Sequence, residues 1–297
     1  MIGVVSHDAG GAEILSSYIA QQDMTCIYSL DGPAKKIFER KLGPLDVVSL
    51  EAAIQQSDWV LTGTSWQSDI EWRAIKMAKS HNKRSVSFLD HWGNYRERFI
   101  REEKLCLPDE IWVGDPQAEL MARSTLPEVK TYLVTNPYFE DIKRELDTIV
   151  TPNKAKNAEL TILFVSEPLR EHGLREYGNE RHWGYTEEEA LHYFLSNLHA
   201  LKKPIRSITI RPHPAEPLNK YDWVKLKYKL PIINGGVGTL LEEVATSDVV
   251  VGFESMAMVV GLLAGKRVIS CIPPGGKVCA LPQMEIEYLQ NILRNSQ

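Results

Sequence analysis

The chain has 297 residues, 43% hydrophobic and 25% charged, the balance of a globular protein long enough for two domains that each bury a core. A formal net charge of -5 excludes a dedicated nucleic-acid binder, which would carry a basic surface, but leaves room for a local basic pocket. The longest apolar stretch, MAMVVGLLAG, is too short for a bilayer span, and MIGVVSHDAGG has no signal-peptide pattern, so a cytoplasmic protein is expected. Cys26, Cys106, Cys271 and Cys279 show neither CxxC nor zinc-like spacing, which fits a reducing compartment, and Cys26 reads as a small core residue in a strand.

In chain order, apolar β-branched runs alternate with helical stretches. The first half offers the strands IGVVS, TCIYSL, DVVSL, WVLTGT, SVSFLD, EIWVGD and TYLVTN. Between most of them lie the helices AEILSSYIAQQ, AKKIFERKL, DIEWRAIKMAKS and PQAELMARS. Strands joined through helices predict a parallel sheet with right-handed crossovers, and near-continuous apolar runs predict that both faces are covered. DTIVTPNKAKNAE then reads as a polar linker. The pattern restarts with LTILFVSE, a helix over about 186–199, SITIRPHP, PIINGG, a helix over TLLEEVAT, DVVVGF, a helix over SMAMVVGLLAG, and RVISCI. MEIEYLQNILRNS reads as a closing amphipathic helix. The expected fold class is therefore α/β. Two Rossmann-like doubly wound domains, at 1–148 and 159–280, face each other across a cleft, and a C-terminal helix covers 281–297.

In such sheets ligands meet the residues just after the strands. SHDAGGAE, 6–13, follows the first strand. Gly10 and Gly11 allow close backbone approach, the next helix N-terminus can receive an anion, and Asp8 beside His7 can serve as a general base or cap the helix. The stretch is not GxGxxG, so dinucleotide binding is not indicated. GTSWQSDIEWR, 63–73, can line the acceptor side, with Ser68 equally suited to capping. DHWGNYRERF, 90–99, is dense in functional side chains. Asp90 with His91 suggests an acid–base pair, and Arg96 and Arg98 suit a carboxylate or phosphate.

In RPHP, 211–214, two prolines restrict the backbone around His213, and Arg211 closes the strand. Both are expected to face a phosphate. After DVVV, Ser255 opens a helix whose free N–H groups suit a phosphate, with Met256 behind it and Glu254 placed for ribose hydroxyls. Gly235 and Gly236 supply a turn that suits a base or ribose, while Ser166 and Glu167 end the strand LTILFV.

Across about 160–274, RPHP followed by FESMAMVVGLLAGKRVI resembles the nucleotide-sugar-binding domain of GT-B glycosyltransferases. The resemblance is to the bacterial capsule and lipopolysaccharide group with an RxHP segment, which includes sialyl-, Kdo- and glycerophosphate-transferases. The first half resembles that group in architecture only. The resemblance implies that His213 and Ser255 contact the donor phosphate, that Glu254 lies near ribose, and that an acid in the first domain, Asp8 or else Asp90, is the base. It departs from the group in being short and in carrying Glu254-Ser255 where a double serine is usual. What it implies is a glycosyltransferase using a CMP- or UDP-sugar and a glycan or lipid-linked acceptor, with possible peripheral membrane association, and needing neither metal nor another cofactor. The alternatives from the same architecture are a nucleotide-sugar 2-epimerase or hydrolase, a glycerol- or ribitol-phosphate transferase, and a non-catalytic nucleotide-sugar-binding protein.

Overall fold

The computed structural model describes residues 1–150 and 159–295. The chain forms two compact units, Met1–Asp141 and Ile142–Gln297. The polar stretch read as a linker lies mostly outside the described residues.

The first unit runs β1 (Ile2–Ser6), α1 (Ala9–Ala20), β2 (Cys26–Leu30), α2 (Gly32–Leu42), α3 (Leu50–Gln56), β3 (Trp59–Thr62), α4 (Ile70–Ser80) and β4 (Arg84–Leu89). The short antiparallel hairpin β5 (Ile100–Arg101) and β6 (Lys104–Leu105) follows, then β7 (Glu110–Val113), α5 (Pro116–Thr125) and β8 (Lys130–Leu133). Its six-stranded sheet has the order β2-β1-β3-β4-β7-β8, with every pairing parallel. Alternate residues of one strand enter different cores. Val4 and Leu61 pack with Leu15 and Phe38, whereas Val5 and Val60 pack with Ile54 and Ala74. That is why β1 is apolar without alternation, and each buried valine contributes roughly 1.5–3 kcal/mol.

α6 (Pro137–Thr148) spans the boundary between the units. The second unit continues with β9 (Leu160–Val165), α7 (Leu169–Tyr177), α8 (Glu187–Ser196), β10 (Ile205–Arg211), α9 (Trp223–Lys227), β11 (Ile232–Asn234) and α10 (Leu240–Thr246). It closes with β12 (Val249–Gly252), α11 (Met256–Leu263), β13 (Arg267–Ser270), β14 (Glu287–Tyr288) and α12 (Leu289–Arg294). Its parallel sheet has the order β11-β10-β9-β12-β13-β14. Each unit is thus doubly wound. The order reverses at β1/β3 in the first sheet and at β9/β12 in the second, and a crevice at the carboxyl ends of the strands belongs at each switch point.

Three expectations need correction. DVVSL is not a strand: Val47 makes a single bridge to Tyr28, and Leu50 already begins α3, capped by Ser49. The closing segment is not one helix. Ile286 turns into the core, Glu287 and Tyr288 pair with the edge of β13, and only Leu289–Arg294 is helical. Asp147 and Thr148, read as the start of the linker, end α6. No helix among the described residues is long and apolar enough to cross a membrane.

Candidate functional site

The second unit's switch point is built from the ends of β9 and β12. Ser255 is the N-cap of α11, with extended backbone, so the N–H groups of Met256 and Ala257 in the first helical turn have no intrahelical acceptor. Its hydroxyl makes no cap bond, and Oγ is buried without a hydrogen-bond partner. Such an atom is costly in a finished core and suits a site that meets a ligand. Glu254 is latched elsewhere: Oε1 lies 3.2 Å from Lys277 Nζ, and Oε2 accepts the Ala280 N–H at 2.9 Å.

An anion already stands at this mouth. Glu167 Oε1 accepts the Glu254 N–H at 2.9 Å, and the Ser255 N–H also bonds to its carboxylate. Burial pushes the Glu167 carboxyl up to about 7; these two N–H bonds and Lys277 oppose the rise, and the Glu254 charge adds to it. Glu167, expected to meet a ligand, instead takes the two N–H groups just before the helix, and the Ser255 hydroxyl stays without a partner. Ser166, expected beside it, is buried against Tyr221, and their hydroxyls bond each other, so it serves the core.

One strand away, β10 delivers RPHP. His213 Nδ1 accepts the Ala215 N–H at 3.1 Å, which places the ring hydrogen of the neutral imidazole on Nε2. Burial lowers the His213 pKa, with Glu216 opposing, so the neutral ring is favoured. The backbone is pinned as well: Glu216 Oε2 accepts the His213 N–H at 2.8 Å, and the Glu216 N–H returns to the His213 carbonyl. Beneath it, Lys220 joins the fully buried side chains of Glu187 and Glu216. Two carboxylates bridged by one ammonium form a stiff foundation for the loop.

Arg211 does not present a free guanidinium. Nη1 bonds Glu243 Oε2 at 2.9 Å and the Gly238 carbonyl at 3.0 Å. Glu243 Oε1 takes the Gly236 N–H at 2.7 Å, so one glutamate ties the arginine to the glycine turn. Gly236 has φ +87, which favours glycine, and a side chain on Gly235 would meet the β10 backbone at 3.0 Å. Both glycines are explained by the turn itself. His213 and Ser255 therefore share one sheet edge with β9 between their strands, about 10 Å from strand to strand.

In the first unit the switch-point residues are His7 and Asp8 after β1, and Thr64, Ser65 and Trp66 after β3. Asp8 stands at the N-cap of α1 without capping it. Its Oδ1 pairs with His7 Nδ1 at 2.7 Å, and its Oδ2 accepts the Trp66 N–H at 2.8 Å. Ser65 Oγ donates to Glu71 Oε1 at 2.5 Å and accepts the Asp8 N–H at 3.2 Å, while Glu71 Oε1 also takes the His7 N–H. Glu71 is only 3% exposed and burial raises its pKa; Ser6 Oγ and Glu71 Oε2 are buried without partners. Ser68 Oγ accepts the Ile70 N–H at 3.2 Å, but the N-cap of α4 is Asp69, so Ser68 is not the cap.

The glycines and arginines here differ from expectation. A Cβ on Gly10 would stand 1.9 Å from Asp90 Oδ2, and one on Gly11 would stand 3.1 Å from Gly63 Cα. Gly10 admits the Asp90 carboxylate to the start of α1, and Gly11 admits α1 to the end of β3. Arg98, 7% exposed, donates from Nη1 to Asp90 Oδ1 at 2.8 Å and to Thr64 Oγ1 at 2.7 Å. Asp90 is thereby a partner of Arg98 rather than a base awaiting a proton. Arg96 pairs with Glu128 at 2.6 Å on the surface, and His91 lies against Trp92 with centroids 5.7 Å apart.

Sequence reasoning passed over Glu71, Glu187, Glu216, Lys220, Tyr221, Glu243 and Lys277. For Glu216 a signal existed, since a glutamate three residues after His213 is placed to reach back to its N–H. Glu187, Glu243 and Lys277 act across large sequence distances.

No family model and no curated protein matches the chain. Solved structures do. UDP-GlcNAc 2-epimerase from Methanocaldococcus jannaschii matches with TM-score 0.58 and 11% identity, over 99% of this chain and 91% of that one. A putative UDP-N-acetylglucosamine 2-epimerase from Listeria monocytogenes matches with TM-score 0.57 and 11% identity, over 99% and 86%. The fold is of the GT-B type. Identity this low carries the fold, with its two Rossmann-like units, and nothing finer.

Proposed function

We propose that the chain is an enzyme of nucleotide-activated sugars, and specifically a glycosyltransferase that moves a sugar from a CMP- or UDP-linked donor to an acceptor hydroxyl in bacterial surface-glycan synthesis. The observation that carries this reading is the pairing, on one sheet edge, of a neutral His213 with its hydrogen on Nε2 and the buried, unpartnered Ser255 hydroxyl at the mouth of α11. As the sugar–phosphate bond breaks, negative charge gathers on the departing phosphate. His213 Nε2–H, the Ser255 hydroxyl and the Met256 and Ala257 N–H groups are the donors placed to receive it, and each is stronger when water is excluded. Glu254, held toward the 277–280 segment, is the ribose candidate.

A second reading, nucleotide-sugar 2-epimerase, is favoured by the likeness to two proteins described as UDP-GlcNAc 2-epimerases. A thermal-shift screen across CMP-, UDP-, GDP- and dTDP-sugars tests the common ground. One nucleotide class should raise the melting temperature, and His213→Ala and Ser255→Ala should abolish the rise. Incubation of the responding donor without acceptor then separates the readings, because a C2 epimer indicates the epimerase and free nucleotide a transferase or hydrolase.

A further inference from the structure

A phosphate at the mouth of α11 would be the second anion there, and the residues around it hold too little positive charge for both. The Glu167 carboxylate already sits on the Glu254 and Ser255 N–H groups, which precede the helix. The next two along the chain, those of Met256 and Ala257, lack an intrahelical acceptor, and the Ser255 hydroxyl beside them has no partner. Consecutive residues stand about 3.8 Å apart, so an anion held by this second set is a near neighbour of the Glu167 carboxylate. Glu254 brings another carboxylate to the same few residues. Its Oε1 lies 3.2 Å from Lys277 Nζ, and that lysine also faces Glu167. Two carboxylates against one ammonium leave a negative charge before any ligand enters. Arg211, at the end of the neighbouring strand β10, is held by Glu243 at 2.9 Å and does not offset it. Tyr185, Cys271 and Cys279 also face Glu167; burial and its charge push each of them up, so they stay neutral. The helix mouth itself offers roughly half a positive charge, enough to offset part of one anion but not two.

We propose that an anion enters the α11 mouth together with a proton, which Glu167 takes from solvent, so that this glutamate couples ligand binding by the second unit to pH. The proton adds to a carboxylate oxygen, and the neutral carboxyl keeps an oxygen to accept the Glu254 N–H. The proposal takes its ligand, a donor phosphate, from the nucleotide-sugar reading. Burial already pushes the Glu167 carboxyl up to about 7, and a phosphate beside it should raise that by at least about one pH unit more. Because the bound state has the higher value, binding is strongest where Glu167 already holds its proton and weakens as pH rises through 7. His213 is the other group on this sheet edge that a phosphate can load with a proton. Burial lowers its pKa against the pull of Glu216, so it exchanges in a more acid range.

Isothermal titration of the full chain at pH 7.5, in two buffers of different ionisation enthalpy, counts the protons taken up. The probe is the CMP-, UDP-, GDP- or dTDP-sugar that raises the melting temperature of the wild type. Its esterified phosphates have no second ionisation near neutral pH, unlike those of a monoester. The wild type should take up about half a proton or more per ligand, and its affinity should fall at least about 5-fold from pH 6.5 to pH 8.5. Glu167→Gln, which does not titrate, should take up less than about 0.1 proton and lose that pH dependence. It should also bind the probe at least about 5-fold more tightly than the wild type at pH 8.5. A wild type that binds the probe with no proton uptake, or an uptake that persists in Glu167→Gln, overturns the role of Glu167 and leaves the nucleotide-sugar reading standing. A wild type that binds no sugar nucleotide overturns both.

Discussion

Replacing Glu167 with glutamine removes a charge that the native fold holds at a cost. The side chain keeps an oxygen for the Glu254 N–H, so the main perturbation is the loss of charge. Burial carries the carboxyl from an ordinary 4.5 to about 7, the Glu254 charge adds to the rise, and the Glu254 and Ser255 N–H groups and Lys277 oppose it. Tyr185, Cys271 and Cys279 also face this carboxyl. Because the folded-state value is raised, the native state binds more protons than the unfolded chain between those limits. The cost is absent below pH 4.5, grows as pH rises, and is complete above about 7. At 1.36 kcal/mol per pH unit the interval amounts to about 3 kcal/mol. Urea unfolding of the wild type and Glu167→Gln at pH 5 and pH 8 measures it. The variant should be more stable by about 3 kcal/mol at pH 8, roughly 6–12 °C in melting temperature, and by less than about 1 kcal/mol at pH 5. A difference that does not change with pH, or a variant less stable than wild type at pH 8, would refute the reasoning.

Arg98→Leu leaves Asp90 buried without its guanidinium and should cost about 3–5 kcal/mol, whereas Arg96→Ala removes an exposed pair and should cost less than about 1 kcal/mol. Urea midpoints of the two variants check this, and equal losses would place Arg98 outside the core. Lys220→Met strands the carboxylates of Glu187 and Glu216 and should destabilise the second unit by about 3–5 kcal/mol at pH 7. Urea unfolding of the variant beside the wild type at pH 7 checks this.

Much of the architecture was legible in the sequence because a doubly covered parallel sheet needs uninterrupted apolar strands, and runs such as IGVVS and DVVVG have few other uses. Two of the helices were not legible. LEAAIQQ has too few residues for a helical period to emerge, and LREHGLREY carries Gly173 mid-helix, where a side chain would meet the Asn179 carbonyl at 2.6 Å. At the sites, alternation showed which residues end strands but not what those residues bond. Arg211 finds Glu243 and Glu254 finds Lys277 across tens of residues, so charges that looked free for a ligand were already paired. His7 and Asp8 are adjacent, and both were visible as candidates; their bond to each other and the Asp8 bond to the Trp66 N–H were not, because they depend on side-chain orientation.

Isothermal titration of the full chain with the phosphate-bearing nucleotide of the responding class, beside its phosphate-free nucleoside, tests the central claim most directly. The nucleotide should bind at least about 10-fold more tightly than the nucleoside. His213→Gln and Ser255→Ala should each erase about 10-fold or more of that advantage, the worth of a hydrogen bond to a charged group. A nucleoside that binds as well as its nucleotide, or variants that bind the nucleotide as the wild type does, would contradict a phosphate held by the imidazole and the mouth of α11.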